Sequence, residues 1–360
     1  MAEKYGPIFT IWLGVHRTIV VSNWEIAKEC FTTNDKAFAN RPKGLALEVL
    51  GYNYAMIGFS PYSPIWRQVR KMATLEATTK VENDRNDQCR KALREIIDLS
   101  GEFVVSDALP YLRWFDIGGS EKAMKKTAKE LDDVTEKWLK EHKQRKISGG
   151  VNDYQDFMDV IISTVTDDDE TSGYGVDTII KVTCLVLISA ASDTSTITLT
   201  SALSLLLSNP ETLTKVQEEL DIHICRERQV KELDMKNLVC LQAILKETMR
   251  LYPAAPLLLP HESMEDCTLV GYHILAGTRL IVNLPKLHRD QNVWVDPSEF
   301  QPERFLTTHK DADVRGQNFE LIPFGSGRRM CPGISFALQV MQLTLATLLH
   351  ALEIQMNLWT

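Results

Sequence analysis

The sequence predicts a mainly α protein with a minor β portion, and three observations carry that expectation. The longest periodic segment, Val176–Leu207, is apolar on almost every side in its first half and stops at Asn209-Pro210, as a buried helix would. Further helical patterns cover Cys89–Leu99, Glu121–Lys146, Asp156–Thr166 and Leu241–Tyr252. Strand-like stretches are short and lie towards the two ends of the chain.

Taken in order, Ile8–Leu13 and Arg17–Val21 flank Gly14-Val15-His16 and predict a hairpin. Ser22 or Asn23 supplies a cap for a helix to about Phe31. A loop from Asn40 to Ser63 carries enough apolar residues, among them Leu45, Ile57 and Phe59, to line a pocket or to pack on the core. Trp66–Leu75 predicts a short basic helix, and the polar run Ala77–Asp87 a linker. The charges on Glu121–Lys146 suit a solvated face. After an acidic break at Asp167–Gly175 comes the long apolar helix, then helices through Val216–Leu220 and up to Pro253. Short strands follow in Cys267–Asn283, with turns at Gly271 and Gly277, then an irregular Pro-rich stretch and a last helix to about Leu352.

The 360 residues are 44% hydrophobic and 24% charged, ordinary for a globular chain with a sizeable core. A net charge of −8 argues against nucleic acid, whose phosphates require clustered Lys and Arg. Seven Cys without CxxC spacing do not form a disulfide framework, and reduced thiols are the simpler expectation. No unbroken apolar run reaches the roughly 20 residues that span a bilayer, the longest being Cys184–Ala191.

Chemistry concentrates in Phe324-Gly325-Ser326-Gly327-Arg328-Arg329-Met330-Cys331-Pro332-Gly333. Gly325 and Gly327 permit a tight loop and close approach to a flat ligand. Pro332-Gly333 open the last helix, so the helix dipole and Arg329 both favour a thiolate at Cys331. A buried Cys in a glycine loop is the plainer alternative. Three other patterns stand upstream: Glu247-Thr248-Met249-Arg250, Pro302-Glu303-Arg304-Phe305, and Ala190-Ala191-Ser192-Asp193-Thr194-Ser195 inside the long apolar helix. Polar groups there need partners or a purpose, although Ser and Thr can also bond back to the preceding turn.

Together these motifs resemble the cytochrome P-450 superfamily, and the Cys331 segment matches its haem-thiolate signature at every defined position. The runs Lys4–Phe9, Asp35-Lys36-Ala37-Phe38-Ala39-Asn40-Arg41-Pro42 and Leu321–Gly333 resemble the plant eighty-second family, which modifies alkaloids, terpenoids and phenolics. The resemblance implies one P-450 domain over residues 1–360 and a haem b ligated by Cys331, with Phe324, Gly327 and Gly333 shaping the loop. It implies propionate partners in Trp66, Arg70, Arg329 and, more weakly and dependent on pH, His261. Glu247, Arg250 and Arg304 would form an ion network locking the cysteine loop. Asp193 and Thr194 would interrupt the helical hydrogen bonds and relay protons to bound oxygen. Substrate contacts would fall on Leu45, Ile57, Ala190, Ala191, Ala254 and Leu257. The implied partners are O₂, a small hydrophobic substrate, and a reductase passing on NADPH electrons, met by Arg67, Lys71 and Arg328. The implied activity is hydroxylation or demethylation of a plant secondary metabolite.

Two departures from the family pattern are Ala191, where the family usually has Gly, and Pro285 in place of a bulky residue. The chain is also short for the family. Helices expected between the Trp66 helix and Cys89 are absent around residues 77–87, and the final β-hairpin is not found before Trp359-Thr360. The family sits on the cytosolic face of the endoplasmic reticulum; no anchor precedes Lys4, so a cytosolic or peripheral location is expected. Loss of the internal helices should uncover Val182, Leu185, Val186, Leu338, Met341 and Leu345. At about 1.5–3 kcal/mol each, exposing four of these would rival a domain's whole stability of about 5–15 kcal/mol. An inactive truncated fragment or pseudoenzyme is therefore the alternative expectation.

Overall fold

The computed structural model describes residues 1–76, 87–147, 157–164, 174–224 and 228–351. After a first turn α1 (Ala2–Tyr5), β1 (Ile8–Leu13) and β2 (His16–Val21) form the expected antiparallel hairpin. Gly14 turns it at φ +62°, so close to the end of a later short helix that a Cβ there would meet the Ala108 carbonyl oxygen at 2.0 Å. Asn23 caps α2 (Trp24–Phe31) by accepting the Ile26 N–H at 3.0 Å. The helices α3 (Leu45–Val49), α4 (Pro64–Glu76), α5 (Asp87–Gly101), α6 (Val105–Ala108), α7 (Ser120–Ile147) and α8 (Phe157–Thr164) follow. The next three are α9 (Val176–Ser208), α10 (Pro210–His223) and α11 (Val239–Leu251). Of the expected linker, residues 77–86 lie outside the described residues, as do 167–173 of the acidic break.

The strands near the two ends of the chain meet in one sheet. β3 (His261–Glu262), β4 (Cys267–Leu269), β5 (Tyr272–Ile274) and β6 (Arg279–Val282) follow α11. β2 pairs in parallel with β6, Thr18 opposite Arg279 and Val21 opposite Val282, giving the order β1-β2-β6-β3. β4 and β5 form a separate hairpin. A short α12 (Leu284–Leu287) and the final α13 (Ile334–Ala351) complete the helices among the described residues. The fold is mainly helical with a small sheet.

α9 is the axis of the core. Its C-terminal half packs with α10, α11 and α13 around Leu206, Leu241, Ile244, Trp294 and Leu345. Its N-terminal half is covered on one side by Trp66, Val69 and Ile161, and on another by α3, α5 and α7. That covering corrects the expected uncovering of the core for four of the six residues named, while Val186 and Leu338 are half-buried. Val182, Leu185, Met341 and Leu345 are each 2% exposed or less, because α5 and α7 close over α9 while α10 and α11 close over α13. A second correction concerns apolar length. α9 and α13 are each long and apolar enough by composition to cross a membrane, although no unbroken apolar run suggested it. They pack on one another in the helical part of the fold, with 39% of the apolar stretch of α9 and 28% of that of α13 buried.

Candidate functional site

A short 3-10 turn at Gly327–Arg329 precedes Cys331 and returns its backbone to the preceding loop, where the Cys331 N–H donates to the Phe324 carbonyl at 2.9 Å. Gly325 and Gly327 sit at φ +72° and +65°, conformations that a side chain would strain. α13 starts three residues after the cysteine, at Ile334. Burial pushes the Cys331 thiol above its ordinary range, opposed by a hydrogen bond from the Gly333 N–H and by the charge of Arg70. The cation acting on the sulfur is thus Arg70 and not Arg329, as the sequence had suggested. Arg329 turns away, donating to the carbonyls of Ala39 (2.5 Å) and Ser60 (2.6 Å). Without a metal the thiol stays protonated at neutral pH, and a bound cation would reverse that.

Three guanidinium groups gather beside this loop, with no carboxylate among them in the described residues. Arg329 lies 4.2 Å over the Trp66 ring, and Arg70 lies 5.4 Å from the same ring. Arg41 donates to the carbonyls of Gly58, Leu259 and Pro260. Burial, then repulsion from Arg70, pulls Arg41 down to about 9; burial, then Arg41 and Arg70, pulls Arg329 down to about 9. Arg329 Nη1 is buried without a hydrogen-bond partner. A buried charge cluster of one sign with an orphaned donor is costly, and an anionic ligand relieves it. These residues fit a flat, metal-bearing group with two carboxylates, the chemistry of haem.

Trp66 and His261 take other parts than expected. The Trp66 indole N–H donates to the Ile57 carbonyl at 2.9 Å, as a buried indole donor must find an acceptor, so the ring serves as a platform for two arginines. His261 is buried, and burial first, then Arg41, drives its pKa well below the ordinary value. Its Nδ1 faces the Phe38 carbonyl at 2.8 Å, which fixes the proton there and leaves Nε2 as a lone pair. A neutral ring in that tautomer has no donor for a carboxylate, so the expected pH-dependent partner is not what the geometry presents.

The ion network is assembled. Arg250 Nε donates to Glu247 Oε2 at 2.7 Å and Arg304 Nε to Glu247 Oε1 at 3.1 Å, with Glu247 and Arg250 fully buried. Arg250 also donates to the carbonyls of His288, Pro297 and Glu299, and Arg304 to those of Val295, Asp296 and Glu299. His288 continues the path: its Nε2 accepts the Ile322 N–H at 3.1 Å, at the head of the cysteine loop. Burial lowers the pKa of His288 to about 3, so it stays neutral and accepts.

The oxygen-helix motif lies in an unbroken α9, where an interruption was expected. Thr194 Oγ1 donates to the Ala190 carbonyl at 2.8 Å, and Ser192, Thr196 and Thr198 bond back in the same way to Ile188, Ser192 and Thr194. Each hydroxyl satisfies itself one turn back, so the helix has no reason to open here. Ala190, Ser192 and Thr194 are exposed, and Ile197 one turn further is 46% exposed.

The family profile described as "Cytochrome P450" matches residues 1–83 and 75–358. The chain belongs to the cytochrome P450 family. It is 47% identical to demethylepipodophyllotoxin synthase of Sinopodophyllum hexandrum, covering 98% of this chain and 80% of the relative. It is 44% identical to xanthotoxin 5-hydroxylase CYP82C4 of Arabidopsis thaliana, covering 99% and 81% respectively. Those alignments run over 421 and 427 residues, more than the 360 of the chain, so both relatives carry residues inside the matched span with no counterpart here. Among solved structures, a zebra fish cytochrome P450 with abiraterone superposes with a TM-score of 0.75 at 25% identity, over 97% of this chain and 89% of that one. By family this is a P450 monooxygenase related to the plant CYP82 members.

The substrate positions suggested for this P450 do not gather in one place. Leu45 is packed with Leu50, Met124 and Val182, whereas Ile57 belongs to a different apolar cluster with Trp66, Ile180 and Cys184. Ala190 and Leu257 are exposed; Ala191 and Ala254 are half-buried. Of the suggested reductase contacts, Arg67 and Lys71 are exposed. Arg328 is engaged within the chain by Asp35 and Tyr62. The sequence does not single out Arg41, although it stands in the run Ala39-Asn40-Arg41-Pro42 that carries the plant-family resemblance. Its only local signal is a charged residue in an otherwise uncharged run, between Asn40 and Pro42.

Proposed function

We propose that this P450 binds haem b through Cys331 and monooxygenates a small hydrophobic plant metabolite, with electrons from an NADPH-linked reductase. The observation that carries the reading is the cluster of buried Arg41 and Arg329 with half-buried Arg70, which among the described residues lacks a counter-anion and adjoins the cysteine thiol. When bound, haem supplies the activation of O₂, from which one atom enters the substrate. In this reading Cys331 gives its thiolate to the iron, and Arg41, Arg70 and Arg329 neutralise and orient the propionates. Phe324, Gly325, Gly327 and Gly333 keep the loop compact enough for a flat ring to approach. Asp193 and Thr194, on α9, would manage protons, the Thr194 hydroxyl leaving the Ala190 carbonyl to do so. Arg67 and Lys71 offer exposed positive charge to the reductase. Hydroxylation is favoured by the printed name of the CYP82C4 relative, a xanthotoxin 5-hydroxylase. Plant members of the family are endoplasmic-reticulum membrane proteins, and the same membrane face is proposed for this chain.

A second reading is an inactive, internally shortened P450. It is supported by the two-part family match, which breaks at residues 75–83, and by the exposure of Ala190, Ser192, Thr194 and Ile197 on α9. Groups that manage protons work best where bulk water is excluded. Purified full chain, loaded with haem and supplied with reductase and NADPH, separates the two. A cysteine-ligated ferrous–CO absorption band with NADPH-dependent product supports the enzyme. The band without product supports the shortened, inactive chain. Absence of the band overturns the haem assignment.

A further inference from the structure

We infer that Asp35 is a positioning residue for Cys331, clasping the Gly327–Arg328 turn that sets where the sulfur stands. The inference rests on the reading of Cys331 as an iron ligand. One carboxylate takes both the main chain and the side chain of Arg328: the Arg328 N–H donates to Oδ1 at 3.0 Å and Nε donates to Oδ2 at 2.7 Å. Charge-assisted bonds made from both oxygens of one carboxylate fix orientation as well as distance. Asp35 is only 18% exposed at its side chain, so water competes weakly for it. The turn it holds is joined directly to the ligand, because the Met330 N–H donates to the Gly327 carbonyl and the Cys331 N–H to that of Phe324.

The fit is close enough to exclude a side chain. A Cβ on Gly327 would stand 2.4 Å from Asp35 Oδ1 and 2.9 Å from the Phe31 carbonyl oxygen, at a φ of +65°. The guanidinium of Arg328 continues to Tyr62, donating to its hydroxyl at 2.8 Å and lying 5.3 Å from its ring. Tyr62 in turn is 5.5 Å from Trp66, the platform under Arg329. Asp35 therefore ties the turn after α2 to two consecutive arginines of the cysteine loop, Arg328 directly and Arg329 through two aromatic rings. The next turn of the same segment adds the Ala39 carbonyl, which accepts from Arg329. The segment 35–41 was marked in the sequence only as a family likeness; here it forms a brace on the ligand loop.

Two measurements on the full chain test this. In the haem-free protein, alkylation of Cys331 by iodoacetamide, followed by peptide mass spectrometry, should accelerate about tenfold in Asp35→Ala, since losing charge-assisted bonds of this kind frees the loop to open. Asp35→Glu should restore most of the protection, and Asp35→Asn, which keeps an acceptor for the backbone N–H, should fall between. Asp177→Ala, which breaks an exposed ion pair with Lys143, should leave the rate unchanged. In the haem-loaded protein, Asp35→Ala should shift the ferrous–CO spectrum from the thiolate-ligated band towards the band of a protonated or displaced cysteine. If Asp35→Ala does not fold, the Asn and Glu variants carry the comparison. Unchanged alkylation in Asp35→Asn and Asp35→Ala overturns the inference, as does a wild-type CO spectrum in a folded Asp35→Ala. A wild-type chain that takes no haem overturns the proposed function alone, because the alkylation rates still decide the role of Asp35.

Discussion

The guanidinium of Arg329 stacks 4.2 Å over the Trp66 ring while the indole N–H is spent on the Ile57 carbonyl. Trp66 thus contributes a face and not a donor, and its place beneath two arginines makes it a support for the cation cluster. Trp66 is 3% exposed, so Trp66→Ala should cost about 3–5 kcal/mol of stability. Trp66→Phe retains a ring but loses the hydrogen bond to Ile57. It should cost less in thermal unfolding and should still speed haem loss, measured by transfer to apomyoglobin.

The cation cluster predicts an unusual pH response in the haem-free chain. Arg41 and Arg329 have folded-state pKa values depressed to about 9, well below the unfolded value. The folded state therefore binds fewer protons than the unfolded state above pH 9, so their penalty is complete below pH 9 and shrinks as pH rises past it. From pH 9 to 10 each group should return on the order of 1 kcal/mol. Chemical denaturation of the haem-free chain at pH 8, 9 and 10 should show that component, and Arg41→Gln should flatten it. In the haem-loaded chain the propionates restore the arginines, and the same component should vanish.

The buried network predicts a sharp asymmetry among substitutions. Glu247→Gln leaves Arg250 and Arg304 buried without their carboxylate and should cost about 3–5 kcal/mol. Arg304→Lys, which loses the fork geometry but keeps the charge, should cost less. The path through His288 to the Ile322 N–H carries the damage to the cysteine loop. Soluble yield and haem content after expression should both drop for Glu247→Gln, and urea unfolding should report the difference.

On α9, Thr194 Oγ1 bonds to Ala190 within the same helix and is exposed, so Thr194→Val should change the unfolding midpoint little, within about 0.5 kcal/mol. If the chain is an active monooxygenase, the same substitution should lower product formed per NADPH consumed. A variant with unchanged coupling would remove Thr194 from proton handling.

Much of the site was legible because it is local. Gly325 and Gly327 occupy the positive-φ turns that their lack of a side chain suggests, Asn23 caps α2, and α9 stops at the Asn209-Pro210 boundary. Glu247 and Arg250, one turn apart, had to share a helix face. Non-local partners were not legible in the same way. Nothing adjacent to Asp35 or Arg41 in the sequence names Arg328, Leu259 or Pro260 as its partner. Leu45 and Ile57 read alike as apolar loop residues, yet fall in separate clusters, because apolar periodicity carries no address.

Conformations that depend on a residue and its near neighbours follow from the chain alone: the glycine loop carrying Cys331, the helix ends, the hairpin and the Glu247–Arg250 pair. Tertiary structure alone decided which distant groups share one buried volume. It joined β2 to β6, placed Arg70 and not Arg329 beside the thiol, and spent the Trp66 and His261 donors on backbone carbonyls. The physical reason is that backbone conformation follows local sterics and hydrogen bonding. Burial, charge proximity and donor satisfaction are properties of the packed whole.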